Sequence, residues 1–261
     1  MTLGVIGAGN MGGAIIRGLL NAGCVHEEDV TATASGDAHL AALKQEHPAI
    51  HTAHDNRDAA RCHLVVIAVK PWLVEKVLGE IGDVLQPGRQ MLLNVAAGIS
   101  FSQFYAWLPE ACREMPLFRF IPNTAISIGE SMSLFAATHA TQDQIDLVLN
   151  MFRCLGGVML LPEEKMAAGT ALTSCGIAYA LRYVRAAVEG AVEMGFPAAE
   201  ATRMVAQTVK GAAELLLKNQ SHPEAEIDKV TTPGGITIKG LNAMEAEGFT
   251  AAVIAGLKAS R

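Results

Sequence analysis

The stretch VIGAGNMGG (residues 5–13) decides how the first half of this chain folds. It places Gly7, Gly9 and Gly12 in the spacing G-x-G-x-x-G, directly after an apolar run and at the start of a helical pattern. In such a strand-turn-helix the first glycine allows a tight turn, the second lets backbone approach a pyrophosphate, and the third lets helix and strand pack closely. The helix N-terminus then faces the phosphates. We therefore predict a dinucleotide site here; a tight turn without a ligand is the alternative.

The first half alternates short apolar runs with helical patterns. Continuous Val, Ile and Leu runs indicate strands buried on both faces, and strand-helix alternation indicates a parallel sheet. Strands are predicted at 3–8, 29–34, 49–53, 64–69 and 90–95, with helices near 10–22, 37–46, 72–84 and 100–107. Two further apolar runs, at 117–121 and 131–137, extend the sheet as a hairpin.

The second half becomes helical after one last strand. Thr141 and Gln144 form a capping-box signature that opens a helix to about residue 154, and residues 156–161 are predicted as a strand. From residue 163 the pattern is entirely helical, with one very long helix over 164–195. Pro197 suits the first turn of the next helix, about 197–219. The predicted fold is α/β: a Rossmann-type doubly wound parallel sheet over 1–160, then an all-α domain over 161–261.

Composition excludes several function classes. The net charge is −6 and no basic face is apparent, which argues against a nucleic-acid partner. The longest apolar run, 64–69, is far shorter than the ~20 residues that span a bilayer, so we expect no membrane partner. Five irregularly spaced cysteines are typical of reduced thiols in the cytoplasm, where we place the protein, and the histidines between 47 and 63 fit solvated loops better than a metal site. The N-terminus lacks the pattern of a signal peptide.

The tip of the second strand bears on the choice of coenzyme. An Asp or Glu there would bind the ribose 2′-hydroxyl of NAD. This chain has Ser35 and Gly36 at that point, and a hydroxyl with free N–H groups can accept a 2′-phosphate. Asp37 follows closely and no arginine is adjacent. We predict NADPH, with NADH possible.

Two other strand ends face the same crevice. Lys70 and Pro71 stand at the tip of the fourth strand, and the fifth ends in Ala96 and Ala97, which leave room for a flat ring. Ligands of doubly wound sheets bind in this crevice. The predicted cofactor-binding residues are Gly7, Ala8, Gly9, Asn10, Met11, Gly12, Ser35, Asn56, Ala68, Val69, Lys70, Pro71, Ala96 and Ala97.

Six segments in this order resemble the pyrroline-5-carboxylate reductase family. They are GVIGAGNMGGAII, VVIAVKP, NVAAGIS, PNTA, AYALRYVRAAVEGAVEMGFP and, most specific to the family, TTPGGITIKGL at 231–241. The resemblance covers essentially the whole chain. It implies reduction of 1-pyrroline-5-carboxylate to L-proline, the last step of proline biosynthesis, by hydride transfer from NAD(P)H to the imine C5. It also implies a homodimer through the helical domain, in some members assembled into larger rings, and the charged fraction of only 18% fits such an interface.

The resemblance assigns the substrate to the loop that matches TTPGGITIKG. Gly234 and Gly235 are expected to expose backbone N–H groups to the substrate carboxylate. Thr237 is the candidate catalytic residue, through a hydrogen bond to the ring nitrogen. The substrate-binding residues implied are Glu163, Val230, Thr232, Gly235, Ile236 and Thr237.

Two alternatives remain open. A β-hydroxyacid or 6-phosphogluconate-type dehydrogenase also joins a dinucleotide domain to a helical one, but it places a catalytic lysine followed by asparagine on the long helix. This chain has Lys165 in the first turn and no asparagine there. A non-catalytic dinucleotide-sensing protein is the second alternative, against which the substrate loop argues.

Overall fold

The computed structural model describes residues 1–260 and forms two compact units. The first runs from Met1 to Ser174 and the second begins at Cys175. The predicted domain boundary after residue 160 lies within the first unit. The division of coenzyme binding and substrate binding between residues 1–160 and 161–261 stays a prediction. The two units are described separately below.

The first unit is built on one eight-stranded sheet in the order β3-β2-β1-β4-β5-β6-β7-β8. Strands β1 to β6 are mutually parallel, β7 runs antiparallel to β6, and β8 runs parallel to β7. This confirms the predicted parallel sheet and the hairpin that extends it. The strands are β1 (Leu3–Ile6), β2 (Val30–Thr33), β3 (His51–Ala53), β4 (Leu64–Ile67), β5 (Met91–Asn94), β6 (Leu117–Ile121), β7 (Ser131–Thr138) and β8 (Gly156–Leu160).

Helices cover both faces of this sheet. On one face α1, α2 and α6 enclose a core that includes Ile16, Leu43 and Phe152, and on the other α3, α4 and α5 enclose a core that includes Leu78 and Phe104. The predicted capping box between Thr141 and Gln144 is present at the start of α6. The helices of the unit are α1 (Asn10–Asn21), α2 (Asp37–Glu46), α3 (Asn56–Ala60), α4 (Val74–Ile81), α5 (Phe101–Ala106), α6 (Gln142–Phe152) and α7 (Met166–Thr170).

Helix α3 is absent from the sequence-based prediction. It has only five residues, too few to display a helical period. Its position nevertheless constrains β1, because a Cβ on Gly4 would lie 1.9 Å from the carbonyl oxygen of Ala59. A glycine in β1 therefore allows α3 to lie directly against the sheet.

The prediction of one continuous helix over 164–195 is wrong, because the α-helix is interrupted in the middle of this range. Helix α7 ends at Thr170, a π-helical segment occupies Ala171–Cys175, and α8 (Gly176–Glu193) follows. Hydroxyl groups compete for carbonyls here: Thr170 Oγ1 donates to the Met166 carbonyl at 2.7 Å and Thr173 Oγ1 to the Gly169 carbonyl at 3.1 Å. Such bonds bend helices, and the change of unit falls at the end of this segment.

The second unit is entirely helical, as predicted. Pro197 is the N-cap of α9 rather than part of its first turn. Besides α8, the helices of the unit are α9 (Ala198–Asn219), α10 (Pro223–Val230), α11 (Ile236–Ala246) and α12 (Phe249–Ala259). Among the described residues, no helix of either unit has the length and apolar character to cross a membrane.

The second unit buries few of its apolar side chains and has no hydrophobic core of its own among the described residues. Within residues 175–260 the buried hydrophobic residues are only Ala191 and Ala201. Leu181, Val188 and Val192 line an open groove of about 550 Å³ beside the start of α9. Large apolar side chains are exposed on all five helices, among them Leu181, Met204, Leu217, Val230, Ile236 and Ile254. An open groove lined by apolar side chains is typical of an interaction site.

Candidate functional site

The turn between β1 and α1 needs two of its glycines for the fold itself. Gly7 has φ +95°, and a Cβ there would lie 2.8 Å from the Ala68 carbonyl oxygen. A Cβ on Gly12 would lie 2.3 Å from the Gly7 carbonyl oxygen. The first glycine therefore lets this turn lie against the end of β4, and the third lets α1 approach the turn.

Gly9 has no such explanation within the described part of the chain. A Cβ built on it would meet no described atom within 4 Å. Gly9 is the N-cap of α1, and the first intrahelical bond runs from the Gly13 N–H to its carbonyl at 2.7 Å. The preceding N–H groups, on Asn10, Met11 and Gly12, lie in a first turn that contains no acidic residue. These open N–H groups and the unfilled space fit a dinucleotide pyrophosphate.

A hydrogen-bonded network ties this turn to the tip of β2. The N–H groups of Gly7 and Ala8 both donate to the Thr33 carbonyl, at 2.9 and 2.8 Å. The Thr33 hydroxyl donates to Asn56 Oδ1 at 2.8 Å, and Asn56 Nδ2 donates to Glu80 at 2.9 Å. The side chain of Asn56, a predicted cofactor residue, is thus engaged in holding α3 beside the strand tip.

The tips of β4 and β5 complete the crevice of the first unit. The Ala68 N–H donates to the Ile6 carbonyl at 2.8 Å, so Ala68 and Val69 follow directly beside β1. Lys70 is exposed, and Pro71 begins a short 3₁₀ turn. After β5, the Asn94 side chain accepts from the Ala96 N–H at 3.0 Å and donates to the Ala96 carbonyl at 3.2 Å. Ala97 comes next and is exposed.

The tip of β2 is open to solvent. Ser35, Gly36 and Asp37 are all exposed, and no described atom lies within 4 Å of a Cβ built on Gly36. The Asp37 carboxylate contacts His54 Nε2 at 3.0 Å. His54 is one of the histidines that we interpreted from sequence as solvated loop residues. Its contact with Asp37, 17 positions earlier, has no local sequence pattern that would predict it.

Glu163 is held by two groups of the first unit. Its Oε1 accepts from the Phe101 N–H at 2.7 Å and from Arg119 Nη1 at 2.8 Å. The Arg119 side chain is only 12% exposed, and its Nε is buried without a partner among the described residues. Arg119 was missed from sequence, although an arginine inside the apolar run LFRFI is a signal of a buried ion pair. The pair fixes Glu163 at the start of α5, just beyond the tip of β5.

The loop between α10 and α11 contains a defined turn. Its bond runs from the Gly235 N–H to the Thr232 carbonyl at 2.9 Å, with Pro233 second and Gly234 third at φ +73°. This is the residue pattern of a type II turn. The Gly235 N–H is thereby occupied, so the expectation that it is free to bind an anion is wrong. The free donors are the first N–H groups of α11, which has Gly235 as N-cap and no side-chain cap.

The threonines of this loop divide into two kinds. Thr231 Oγ1 donates to the carbonyls of Ile227 and Asp228 and so caps the end of α10. Thr232 and Thr237 are exposed, and within the described part of the chain their hydroxyls make no hydrogen bond. Two other predicted substrate residues, Val230 and Ile236, are 61% and 87% exposed. The predicted residues of this loop thus remain available to a ligand.

The glycines provide a matched test of the dinucleotide site. We expect Gly9→Ala to preserve Tm and to weaken dinucleotide binding at least about tenfold, which corresponds to roughly 1.4 kcal/mol. We expect Gly12→Ala to lower Tm, because its methyl group meets the Gly7 carbonyl oxygen. Circular dichroism and calorimetric titration with NADP⁺ measure the two effects. Unchanged affinity in Gly9→Ala would place the dinucleotide elsewhere.

Two family models match this chain. The one described as pyrroline-5-carboxylate reductase dimerisation matches residues 163–261. The one described as NADP oxidoreductase, coenzyme F420-dependent, matches residues 2–98.

The chain is similar over nearly its whole length to named proteins. Pyrroline-5-carboxylate reductase 1 of Dictyostelium discoideum is 38% identical over 98% of this chain, which spans 48% of that protein's length. Pyrroline-5-carboxylate reductase 2 of the same organism is 36% identical over 98% of this chain and 89% of that protein. The crystal structure of Plasmodium falciparum pyrroline carboxylate reductase with NADP bound has a TM-score of 0.87 at 24% identity, covering 100% of this chain and 95% of that one, and so shows the same fold.

The glycine turn, the strand-tip crevice and the Pro-Gly-Gly loop are thus found in a chain that is 38%, 36% and 34% identical, over nearly its whole length, to three proteins named pyrroline-5-carboxylate reductase. The chain belongs to the pyrroline-5-carboxylate reductase family.

Proposed function

We propose that this protein reduces 1-pyrroline-5-carboxylate to L-proline with NADPH, the last step of proline biosynthesis. The observation that carries the proposal is the loop before α11, where a turn presents an uncapped helix N-terminus and two unbonded threonine hydroxyls. A small carboxylate ligand suits that combination, because helix N-terminal N–H groups bind anions.

The first unit would hold the coenzyme, which supplies a hydride to C5 of the imine. The N–H groups of Asn10 and Met11 would bind its pyrophosphate, and Ala96 and Ala97 leave space for a flat ring. The protonated imine is already electrophilic. What the chain must contribute is chiefly orientation and exclusion of water, and orientation can account for roughly 7–11 kcal/mol of a barrier.

The substrate groups would be held by donors on the loop. The N–H groups of Ile236 and Thr237 would bind the carboxylate, and the Thr237 hydroxyl would contact the ring nitrogen. Thr232 and Val230 are proposed to line the substrate pocket. Glu163, which the Arg119 guanidinium holds in place at 2.8 Å, is a further proposed substrate residue.

The coenzyme preference is for NADPH. The tip of β2 carries the hydroxyl of Ser35 and the open backbone of Gly36, and the one nearby carboxylate, on Asp37, is paired with His54. The match of residues 2–98 to an NADP oxidoreductase family supports this choice.

The β-hydroxyacid dehydrogenase alternative fits less well. Lys165 ends a 3₁₀ turn ahead of α7 and is exposed, so it does not project from within a long helix. A sensor without catalysis would not need the substrate loop, and the reaction assay below separates the two possibilities.

The assembly we propose is a homodimer in which the second unit of each copy covers the exposed apolar side chains of the other. The unburied groove lined by Leu181 and Val188 supports it, as does the match of residues 163–261 to a dimerisation family. Rings of such dimers stay a prediction. Five free cysteines fit a cytoplasmic location.

A coenzyme-oxidation assay tests the reaction directly. With pyrroline-5-carboxylate as substrate we expect NADPH to be oxidised, with kcat/KM higher for NADPH than for NADH measured in parallel. An NADH preference of about tenfold (about 1.4 kcal/mol) or more would contradict our interpretation of the β2 tip. Absence of turnover with both coenzymes would contradict the proposed function.

Thr237 provides a test of the substrate contact. Thr237→Ala removes one donor and should lower kcat/KM for the imine by an amount equivalent to roughly 1–3 kcal/mol if the contact is buried. Thr237→Val keeps the shape and should be equally harmful, while NADP⁺ affinity stays nearly unchanged in both. Thr250→Val, which removes a hydroxyl bound to Glu245 instead, is the control. If both Thr237 variants keep wild-type kcat/KM, Thr237 makes no such contact.

The dimer can be tested by placing a charge on the apolar groove. We expect Leu181→Glu to yield monomers in sedimentation experiments in which the wild type shows none, because the carboxylate would have to be buried unpaired. Leu147→Glu changes an exposed leucine of α6 in the first unit and serves as the control. A wild-type protein that is monomeric and active would refute the proposed assembly.

A further inference from the structure

The imidazole of His54 bridges the two ends of the β2 tip. Its Nδ1 lies 2.9 Å from the Ala34 carbonyl oxygen, just before Ser35, and its Nε2 lies 3.0 Å from the Asp37 carboxylate, just after Gly36. Ser35 and Gly36, which are predicted to accept the coenzyme's 2′-substituent, therefore lie between the two residues that His54 contacts.

Both partners of the ring can only accept hydrogen bonds. A carbonyl oxygen and a carboxylate carry no proton, so Nδ1 donates to the Ala34 carbonyl while Nε2 makes the ion contact with Asp37. Only the imidazolium has an N–H on both nitrogens, so the charged ring is the form that suits both neighbours. In agreement, the pKa of His54 is raised above its usual value, mainly by the bond to Ala34 and further by the charge of Asp37.

The other charged groups around His54 are engaged elsewhere. Asp55, its neighbour in the chain, accepts from the Arg57 N–H at 2.9 Å as the N-cap of α3. Arg57 donates to Asp83 at 3.0 Å and to the Glu80 carbonyl at 3.1 Å. The Glu80 carboxylate accepts from Asn56 and faces Lys76 at 3.7 Å. Among these carboxylates, Asp37 alone contacts the ring.

Asp37 is the first carboxylate after β2 and follows directly on Ser35 and Gly36, the position at which NAD-dependent enzymes carry the acid that binds a 2′-hydroxyl. We propose that His54 determines coenzyme specificity by pairing with Asp37, which neutralises this carboxylate and withholds it from the 2′-substituent. The inference rests on the proposed use of NADPH and names the residue pair behind it. When the ring is charged, the tip of β2 accepts a 2′-phosphate; when the ring is neutral, Asp37 is released and repels it.

The charge of the His54 imidazole decides how the preference for NADP⁺ changes with pH. His54 is charged below its raised pKa and neutral above it, so discrimination in favour of NADP⁺ falls as pH rises through that value. The groups are exposed, with His54 at 59% and Asp37 at 91%, so solvent screens the effect. One charge at about 4 Å in water is worth about a factor of five, and we expect a change of roughly three- to tenfold.

Equilibrium binding without substrate tests this proposal. Calorimetric titration of the full-length protein with each dinucleotide gives the ratio Kd(NAD⁺)/Kd(NADP⁺), which is high when NADP⁺ is preferred. The range from about pH 7 to about pH 9 lies above the second pKa of a phosphate, near 6. In wild type the ratio should fall three- to tenfold across this range. In His54→Gln it should be low already at the lower pH and vary little. In Asp37→Asn it should stay high throughout.

Proton NMR supplies a readout that does not depend on the coenzyme. The C2–H signal of His54, assigned by its loss in His54→Gln, should titrate above the usual pKa of a histidine in wild type and closer to it in Asp37→Asn. Circular dichroism checks that the variants fold; if His54→Gln does not, the Asp37→Asn comparison decides alone. Equal pH profiles in wild type and Asp37→Asn would overturn this inference while leaving the proposed function intact. If neither NADP⁺ nor NAD⁺ binds at any pH, both this inference and the proposed function are refuted.

Discussion

The close approach of α1 to the β1 turn is the constraint on which the rest of the first unit depends. It exists because Gly12 lacks a Cβ, which would otherwise lie 2.3 Å from the Gly7 carbonyl oxygen. With the helix so near, its N-terminal N–H groups open onto the crevice between β1 and β4, where the strand order of the sheet reverses. The hydrogen bonds from Gly7 and Ala8 to Thr33 then bring the tip of β2 to the same place. The missing Cβ of Gly12 thus lets the ends of β1, β2 and β4 meet at one crevice.

The two units solve the problem of burying apolar surface differently. The first encloses a core on each face of its sheet, with aromatic contacts such as the stack of Phe120 on Phe135 at 4.6 Å. The second buries only two alanines among its described residues. Small residues along α8 and α9 let these two helices pack together, but large apolar side chains stay exposed on all five helices of the unit. The residues predicted to bind the coenzyme lie on the first unit, and the Pro-Gly-Gly loop lies on the second, whereas Glu163, also predicted to bind substrate, lies on the first.

Sequence patterns predicted those parts of the molecule that depend on local chemistry. The strand-helix alternation, the β6–β7 hairpin and the capping box of α6 can each be read within a few residues, and each is confirmed. Two features escaped prediction for different reasons. The π-helical segment lies beside threonine hydroxyls that bond carbonyls four residues earlier, and helices with and without such bonds have the same apolar pattern. The Arg119–Glu163 pair joins positions 44 residues apart.

The candidate site shows the same limit. The glycine turn was predicted in full because its spacing has a geometric cause. In the substrate loop the sequence indicated backbone donors but could not reveal that the Gly235 N–H closes a turn. Likewise the histidine between β3 and α3 resembled any loop histidine, because its partners Ala34 and Asp37 belong to β2 and α2.

The near absence of a core in the second unit has a thermodynamic consequence. A helical unit that covers its apolar side chains only by association has a stability set by mass action, so its unfolding temperature rises with protein concentration. The first unit, with its two closed cores, has no such dependence. Dilution would then unfold the helical unit while the sheet stays folded, so the loop before α11 would lose its structure before the glycine turn does.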